Sequence, residues 1–185
     1  MQSPVIRPTL LYSTWIVKDF GENTFDATSV CEGLWVGSVF AAKSIDDLRK
    51  RNISSILTIL RDIKVKYPKD FQHKVVIMAD HPMEDLLGKL PDALGFLENE
   101  LNNGRTVLVH CAHGISRSVA VCAAYLIVKK NMTITEALST IKAKRPQAKP
   151  NIGFLFQLKA LSSFTGNVEQ ARNQFQSTLY PKRSI

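Results

Sequence analysis

Apolar residues fall into short runs of strand length and longer stretches of helical spacing, and the two kinds alternate from Gly33 onward. The short runs are rich in β-branched residues and predict buried strands of one sheet. They cover residues 34–37, 53–60, 75–79 and 106–110. Residues 1 to about 28 show no sustained period and predict an extended N-terminal arm.

Helical spacing predicts helices over 44–50, 84–101, 118–128, 133–144 and 151–164. Pro91 lies inside the second stretch and predicts either two segments or a kink. The third stretch is apolar almost all round, so we expect a helix buried at the centre of the domain. This alternation predicts an α/β fold: a single domain with a central mixed, mostly parallel sheet of about five strands, flanked by helices.

The composition agrees with one globular domain. The chain has 185 residues, of which 45% are hydrophobic and 22% charged, and it lacks the run of ~18 apolar residues that a transmembrane segment needs. The net charge of +8 favours anionic partners, which include phosphorylated proteins, nucleic acid and acidic lipids. A basic cluster, defined as Lys142, Lys144, Arg145 and Lys149, is either a docking surface for acidic phosphopeptides or a solvated helix end.

The three cysteines are Cys31, Cys111 and Cys122. Their odd number and their spacing match neither a disulfide framework nor a zinc site, which favours a reducing compartment. We therefore expect a cytoplasmic location, with the nucleus as a second one. Cys122 is interpreted as a packing residue of the buried helix and Cys31 as a strand residue, and a redox disulfide between either of them and Cys111 is a second hypothesis.

One segment carries candidate chemistry, and it lies between the last predicted strand and the buried helix. It reads His110-Cys111-Ala112-His113-Gly114-Ile115-Ser116-Arg117-Ser118. Amides of a tight loop at a helix N-terminus can converge on one point, where they bind a phosphate or sulfate. Arg117 can add two parallel hydrogen bonds to such an anion. The same positive field stabilises a thiolate, so Cys111 is a candidate nucleophile.

Attack of a thiolate on a phosphate monoester expels an oxygen that needs a proton from a nearby acid. Asp80 follows the predicted strand 75–79 and is the preferred candidate. Glu84, Asp85 and Asp92 lie close by in the sequence and are the alternatives.

The motif His-Cys-x5-Arg-Ser resembles the signature loop of cysteine-based protein phosphatases, and the chain as a whole is similar to their dual-specificity branch. Asp80 precedes Cys111 by 31 residues, the offset typical of that family's general acid. Leu34-Trp-Val-Gly-Ser38 is similar to an early strand of the family. Arg145-Pro146 and the segment 150–158 are similar to its closing segment. The resemblance predicts a catalytic domain over 29–165, with an arm at 1–28 and a C-terminal tail or peripheral helix at 166–185.

The resemblance implies a two-step reaction without metal or other cofactor. Cys111 attacks phosphorus while Asp80 protonates the leaving oxygen, and Asp80 then activates the water that hydrolyses the phosphocysteine. Ser118 helps the thiolate leave, and His110 fixes the geometry of the loop. The phosphate-binding residues that it implies are Ala112, His113, Gly114, Ile115, Ser116 and Arg117.

The implied function is hydrolysis of phosphotyrosine and of phosphoserine or phosphothreonine by a small, stand-alone atypical enzyme. The expected partners are phosphorylated proteins, signalling kinases among them, and no nucleic acid is expected. RNA 5′-triphosphatase or phosphoinositide phosphatase activity is an alternative, since His-Cys-x-His-Gly is similar to the RNA enzymes. A non-catalytic adaptor that binds phosphopeptides is a more distant alternative, because Cys111, Arg117 and Asp80 are all present.

Overall fold

The computed structural model describes residues 25–61 and 66–179, so nearly all of the predicted N-terminal arm lies outside the described residues. The strands are β1 Ala27–Cys31, β2 Leu34–Ser38, β3 Ile53–Ile59, β4 Gln72–Val76 and β5 Thr106–Cys111. The helices are α1 Val39–Lys43, α2 Ile45–Lys50, α3 Leu86–Asn102, α4 Arg117–Lys130, α5 Ile134–Lys144, α6 Ile152–Ser163 and α7 Val168–Leu179.

The five strands form one sheet in the order β1-β2-β5-β3-β4. Strand β1 runs antiparallel to β2, and the other neighbouring pairs are parallel. The predicted mixed, mostly parallel sheet is confirmed. Because β5 lies in the middle of the sheet, the loop that follows its carboxyl end opens at the centre of the molecule.

Two strands differ from the prediction. Strand β4 covers Gln72–Val76 rather than 75–79, because the backbone leaves the sheet after Val76 and the Met78 amide donates to the Leu60 carbonyl. Of strand β1 only Cys31 was predicted to lie in a strand, since β1 is at an edge and only Val30 of its five residues is buried. An edge strand of this kind does not need the apolar run that identifies a buried strand.

The predicted central helix is confirmed as α4, in which every residue from Ser118 to Ile127 is buried. Pro91 lies inside the single helix α3, so the interpretation as two segments is wrong. Helix α7 occupies the predicted C-terminal tail, with Ala171 fully buried and Phe175 packed against the core. No helix in the described ranges is long and apolar enough to cross a membrane.

Strand β5 sends alternate side chains to opposite faces of the sheet. Val107, Val109 and Cys111 belong to the larger core cluster, which the sheet shares with α3 to α7. Leu108 belongs to the smaller cluster beneath α1 and α2. This alternation puts Cys111 on the face covered by α4 and His110 on the opposite face.

The N-terminus of α6 packs directly on the segment that follows Asp80. A Cβ atom added at Gly153 would lie 1.8 Å from the Pro82 carbonyl oxygen, so the packing leaves no room for a side chain. Gly95, in the exposed part of α3, has no such neighbour within 4 Å.

Gly153→Ala is therefore expected to lower the free energy of unfolding by about 1–3 kcal/mol or more, because the backbone at Pro82 has to move. Gly95→Ala is the matched control and is expected to raise it by about 0.5–1 kcal/mol, because alanine favours the helix. Urea unfolding measures both changes as shifts of the midpoint at constant slope. Equal midpoints for the two variants would contradict the close contact.

Candidate active site

The loop between β5 and α4 surrounds the Cys111 sulfur. The side chain is only 2% exposed. The Gly114 amide donates to Sγ at 3.2 Å, and the Ser118 hydroxyl lies 3.3 Å from the same atom. An amide donor and a hydroxyl at a helix N-terminus stabilise negative charge on sulfur.

The first turn of α4 faces the loop without a side-chain cap. Ser116 is the N-cap residue, yet its side chain makes no capping hydrogen bond. Its hydroxyl instead donates to Asp80 Oδ1 at 2.6 Å and accepts from the Asn151 amide at 3.1 Å. The first backbone amides of α4 are thus not used by a cap and can serve an anion.

Arg117 brings a partly desolvated positive charge to the loop, because its side chain is only 12% exposed. Nη1 donates to the Met78 carbonyl at 3.5 Å, and Nε lies 3.6 Å from Asp80 Oδ2. Within the described part of the chain, the buried Nε atom has no hydrogen-bond partner. Buried donors of this kind are normally paired, and an oxyanion in the loop is a suitable acceptor.

Asp80 lies against the loop through its two carboxylate oxygens. Oδ1 accepts from the Ser116 hydroxyl and, at 2.9 Å, from Asn151 Nδ2, while Oδ2 faces Arg117. Asn151 is also the N-cap of α6, where its Oδ1 accepts from the Phe154 amide. The start of α6 therefore fixes the position of Asp80 relative to the loop.

The three alternative acids point to other partners. Glu84 accepts from the Ala79 amide at 2.7 Å and pairs with Lys89 at 3.4 Å. Asp85 caps α3, and Asp92 pairs with Lys74. Of these four carboxylates, Asp80 is the one whose hydrogen bonds and ion pairs reach the loop, which favours it as the acid.

Arg145 holds the loop from outside. Its guanidinium is buried and donates through Nε to the Gly114 carbonyl at 2.7 Å and through Nη2 to the His113 carbonyl at 3.2 Å. Nη2 also donates to Asp26 Oδ1 at 2.8 Å. Gly114 has φ +66°, and an added Cβ would lie 2.5 Å from Arg145 Nη2. Carbonyls that point out toward Arg145 leave the Gly114 amide free to point in toward sulfur.

The docking interpretation of the basic cluster is wrong for Arg145 and stays a prediction for the three lysines. Arg145 is 2% exposed and bound to the loop, and Lys144 donates to the Val30 carbonyl at 3.2 Å. Lys142, Lys144 and Lys149 are exposed.

His110 lies in a polar cluster on the far face of the sheet. Its Nδ1 is 3.4 Å from the Cys111 carbonyl, which can only accept, so the neutral ring carries its proton there. Its Nε2 then accepts from the Thr58 hydroxyl at 2.7 Å, and Thr58 in turn contacts His73 at 2.9 Å. Burial lowers the pKa of His110 to about 4. A neutral ring with a hydrogen bond at each nitrogen fits the predicted role of fixing the loop geometry.

The remaining predicted residues are distributed around the loop. Ala112 is half-buried and its carbonyl accepts from the Val39 amide at 3.2 Å, whereas His113 and Ile115 are exposed.

All three cysteines are free. Burial raises the pKa of the Cys31 and Cys122 thiols. Cys31 lies in strand β1 and Cys122 is buried in α4, as predicted. A redox disulfide with Cys111 stays a prediction.

Sequence reasoning missed the supporting residues of the site. Arg145 and Asn151 fall in the segments that carried the resemblance, but neither was predicted to support the site. Thr58 is a polar residue between the apolar Leu57 and Ile59 of β3, and that interruption was the available signal. Asp26 could not be identified, because its partner Arg145 is 119 residues away in the sequence.

Comparisons with known proteins agree with this geometry. The family model "Dual specificity phosphatase, catalytic domain" matches residues 34–164. Dual specificity protein phosphatase 1 of Arabidopsis thaliana is 40% identical over 130 residues, which are 70% of this chain and 66% of that protein. Dual specificity protein phosphatase 1B of the same plant is 36% identical over 143 residues, covering 77% of this chain and 86% of that protein.

Solved structures show the same fold. The crystal structure of DUSP15 is similar with a TM-score of 0.74 and 28% identity, covering 83% of this chain and 97% of that one. A human tyrosine phosphatase-like serine/threonine/tyrosine-interacting protein has a TM-score of 0.71 and 28% identity over 76% of this chain and 98% of its own. The second protein is named phosphatase-like, so turnover depends on the residues of the site and not on the fold alone.

Arg145→Met is expected to lower the free energy of unfolding by about 2–3 kcal/mol, because buried acceptors at the loop lose their donor. The variant is also expected to bind inorganic phosphate more weakly by calorimetry, since the loop carbonyls are no longer held outward. Arg172→Met is the matched control. Its ion pair with Asp85 is exposed, so a change of at most about 1 kcal/mol is expected. Equal effects of the two variants would contradict the role of Arg145.

His110 makes stability depend on pH with a defined sign. Because burial holds the pKa of its folded-state ring at about 4, the unfolded chain binds the extra proton between about pH 6.5 and 4. The free energy of unfolding therefore falls by up to about 3 kcal/mol as the pH drops through this range.

Urea unfolding between pH 7 and 4.5 measures this loss. In His110→Gln the free energy of unfolding is expected to depend less on pH than in the wild type. In the control variant His81→Gln, at an exposed position, it is expected to depend on pH as in the wild type. An unchanged pH dependence of stability in His110→Gln would refute the assignment of this effect to His110.

Proposed function

The chain belongs to the dual specificity phosphatase family, and from that premise we propose that it is a protein phosphatase that hydrolyses phosphotyrosine and phosphoserine or phosphothreonine through a phosphocysteine intermediate. The observation that supports this proposal is the environment of Cys111 Sγ. The sulfur accepts a hydrogen bond from the Gly114 backbone amide at 3.2 Å and lies at the N-terminus of α4. This arrangement both favours the thiolate and binds the phosphate that the thiolate attacks.

In the proposed first step, the Cys111 thiolate attacks phosphorus in line, and the bond between phosphorus and the leaving oxygen breaks. Asp80 donates its proton to that oxygen. Its Oδ1 already accepts two hydrogen bonds, so Oδ2 is the oxygen we assign to carry the proton. Arg117 and the loop amides hold the three non-bridging oxygens, which stabilises the transition state more than the ground state.

In the proposed second step, a water molecule attacks the phosphocysteine. Asp80 takes a proton from this water, which restores the acid for the next cycle. The Ser118 hydroxyl, 3.3 Å from Sγ, donates to the sulfur as the bond to phosphorus breaks, so the thiolate leaves more readily.

The substrates that we propose are phosphorylated proteins, and signalling kinases are candidates among them. The net charge of +8 favours acidic, phosphorylated partners. Cytoplasm and nucleus are the proposed locations, on the argument from the cysteines. The RNA and phosphoinositide alternatives are less well supported, because the loop carries one arginine and no lysine.

The adaptor hypothesis requires a site that binds phosphate without turnover. The nucleophile, the arginine and the acid are all in the sequence, and Asp80 and Arg117 lie 3.6 Å apart at the loop. Turnover is therefore the better-supported reading of the site.

Hydrolysis of a small aryl phosphate in the presence of a metal chelator tests the proposal. Cys111→Ser is expected to abolish turnover, because the nucleophile is lost. Asp80→Asn is expected to lower kcat by about 10²–10⁴-fold, the usual contribution of a general acid. Asp92→Asn is the control, because its carboxylate pairs with Lys74 away from the loop, and its kcat should stay within about twofold of the wild type.

Full activity of Cys111→Ser would overturn the mechanism. A wild-type protein that binds phosphopeptides but hydrolyses neither them nor the aryl phosphate would support the adaptor instead.

A further inference from the structure

An apolar groove lies beside the proposed acid. It has a volume of about 400 Å³, and its walls come from the segment after Asp80, the start of α6 and the end of α7. Of the seven exposed large apolar side chains among the described residues, three line it. They are Met83, Ile152 and Phe156, with exposed fractions of 69%, 55% and 57%. Exposed apolar groups gathered in one concave place mark an interaction site more often than scattered ones do.

The groove is continuous with the proposed active site. Pro82, in its wall, is two residues from Asp80, which puts their Cα atoms within about 8 Å of each other. Ile152, in the other wall, directly follows Asn151, whose side chain donates to Asp80. The two walls meet where α6 packs on Pro82. A substrate held at Cys111 therefore passes close to the groove.

The two acidic groups of the groove are already paired. Glu84 binds the Ala79 amide and Lys89, and Asp85 binds the Gly88 amide and Arg172. Their charges are balanced, so they present no free negative charge to an acidic phosphopeptide. Most of the exposed side-chain surface left for a ligand is apolar, from Met83, Ile152 and Phe156, and such surface gains free energy when another apolar group covers it.

We propose that this groove is a specificity subsite for the phosphoprotein substrate and that it binds one bulky apolar side chain, such as leucine, methionine or phenylalanine. This inference rests on the proposed function. Since an extended peptide advances about 3.3 Å per residue and the groove begins within about 8 Å of Asp80, the apolar residue lies within a few positions of the phosphorylated one.

A panel of phosphopeptides tests the subsite. Each peptide carries one leucine, placed at successive positions on either side of a single phosphotyrosine, in an otherwise alanine and serine background. At one position, leucine is expected to raise kcat/KM about tenfold over alanine. Phe156→Ser and Ile152→Ser are expected to remove this gain while hydrolysing the all-alanine peptide and a small aryl phosphate at wild-type rates.

Phe40→Ser is the matched control, because Phe40 is 58% exposed on α1 and is not part of the groove. It should keep the leucine preference. No preference at any position, or equal losses on all substrates in Phe156→Ser, would overturn the subsite. So would self-association of the wild type that Phe156→Ser abolishes without any change in peptide preference.

Failure of the proposed function gives a different result. If the wild type hydrolyses no substrate, the groove can still be tested by binding. Fluorescence anisotropy then measures the affinity of Cys111→Ser for the same peptides. Tighter binding of one leucine peptide, lost in the double variant with Phe156→Ser, would support the subsite without turnover. Equal binding of all peptides would overturn it.

Discussion

The site depends on how the carbonyl groups of one short loop are held. A loop that collects several amides around a sulfur must send its carbonyls the other way, and buried carbonyls need donors. Arg145 supplies these donors to His113 and Gly114, and Asp26 balances its charge. The guanidinium thus connects strand β1, the loop and the end of α5, and it leaves the Gly114 amide aimed at Cys111.

A second set of contacts holds the acid. Asp80 lies on a segment outside the sheet, and it meets the loop through Ser116 and Asn151. Asn151 caps α6 with one side-chain atom and donates to Asp80 with another. The same packing of α6 on Pro82 shapes the apolar groove. The general acid and the proposed subsite therefore share one structural support, the start of α6.

The two faces of the sheet hold Cys111 and His110 in different environments. Cys111 faces α4 and the helix dipole, whereas His110 faces a polar cluster with Thr58 and His73. Burial keeps His110 neutral at the pH of the cell, as the lowered pKa of its ring implies. It can therefore hold the Cys111 carbonyl without placing a second positive charge behind the loop.

The sequence by itself determined the α/β class, the buried helix α4 and the loop 110–118, because these depend on local periodicity and on residues adjacent in the chain. It also singled out Asp80, on its offset from Cys111. It did not determine β1 or the position of β4, since edge strands carry weak apolar patterns. Only the tertiary structure turned Arg145 from a member of a basic cluster into a buried support for the loop. Its partners lie 31 to 119 residues away, and no local pattern records which distant groups a side chain will meet once the chain has folded.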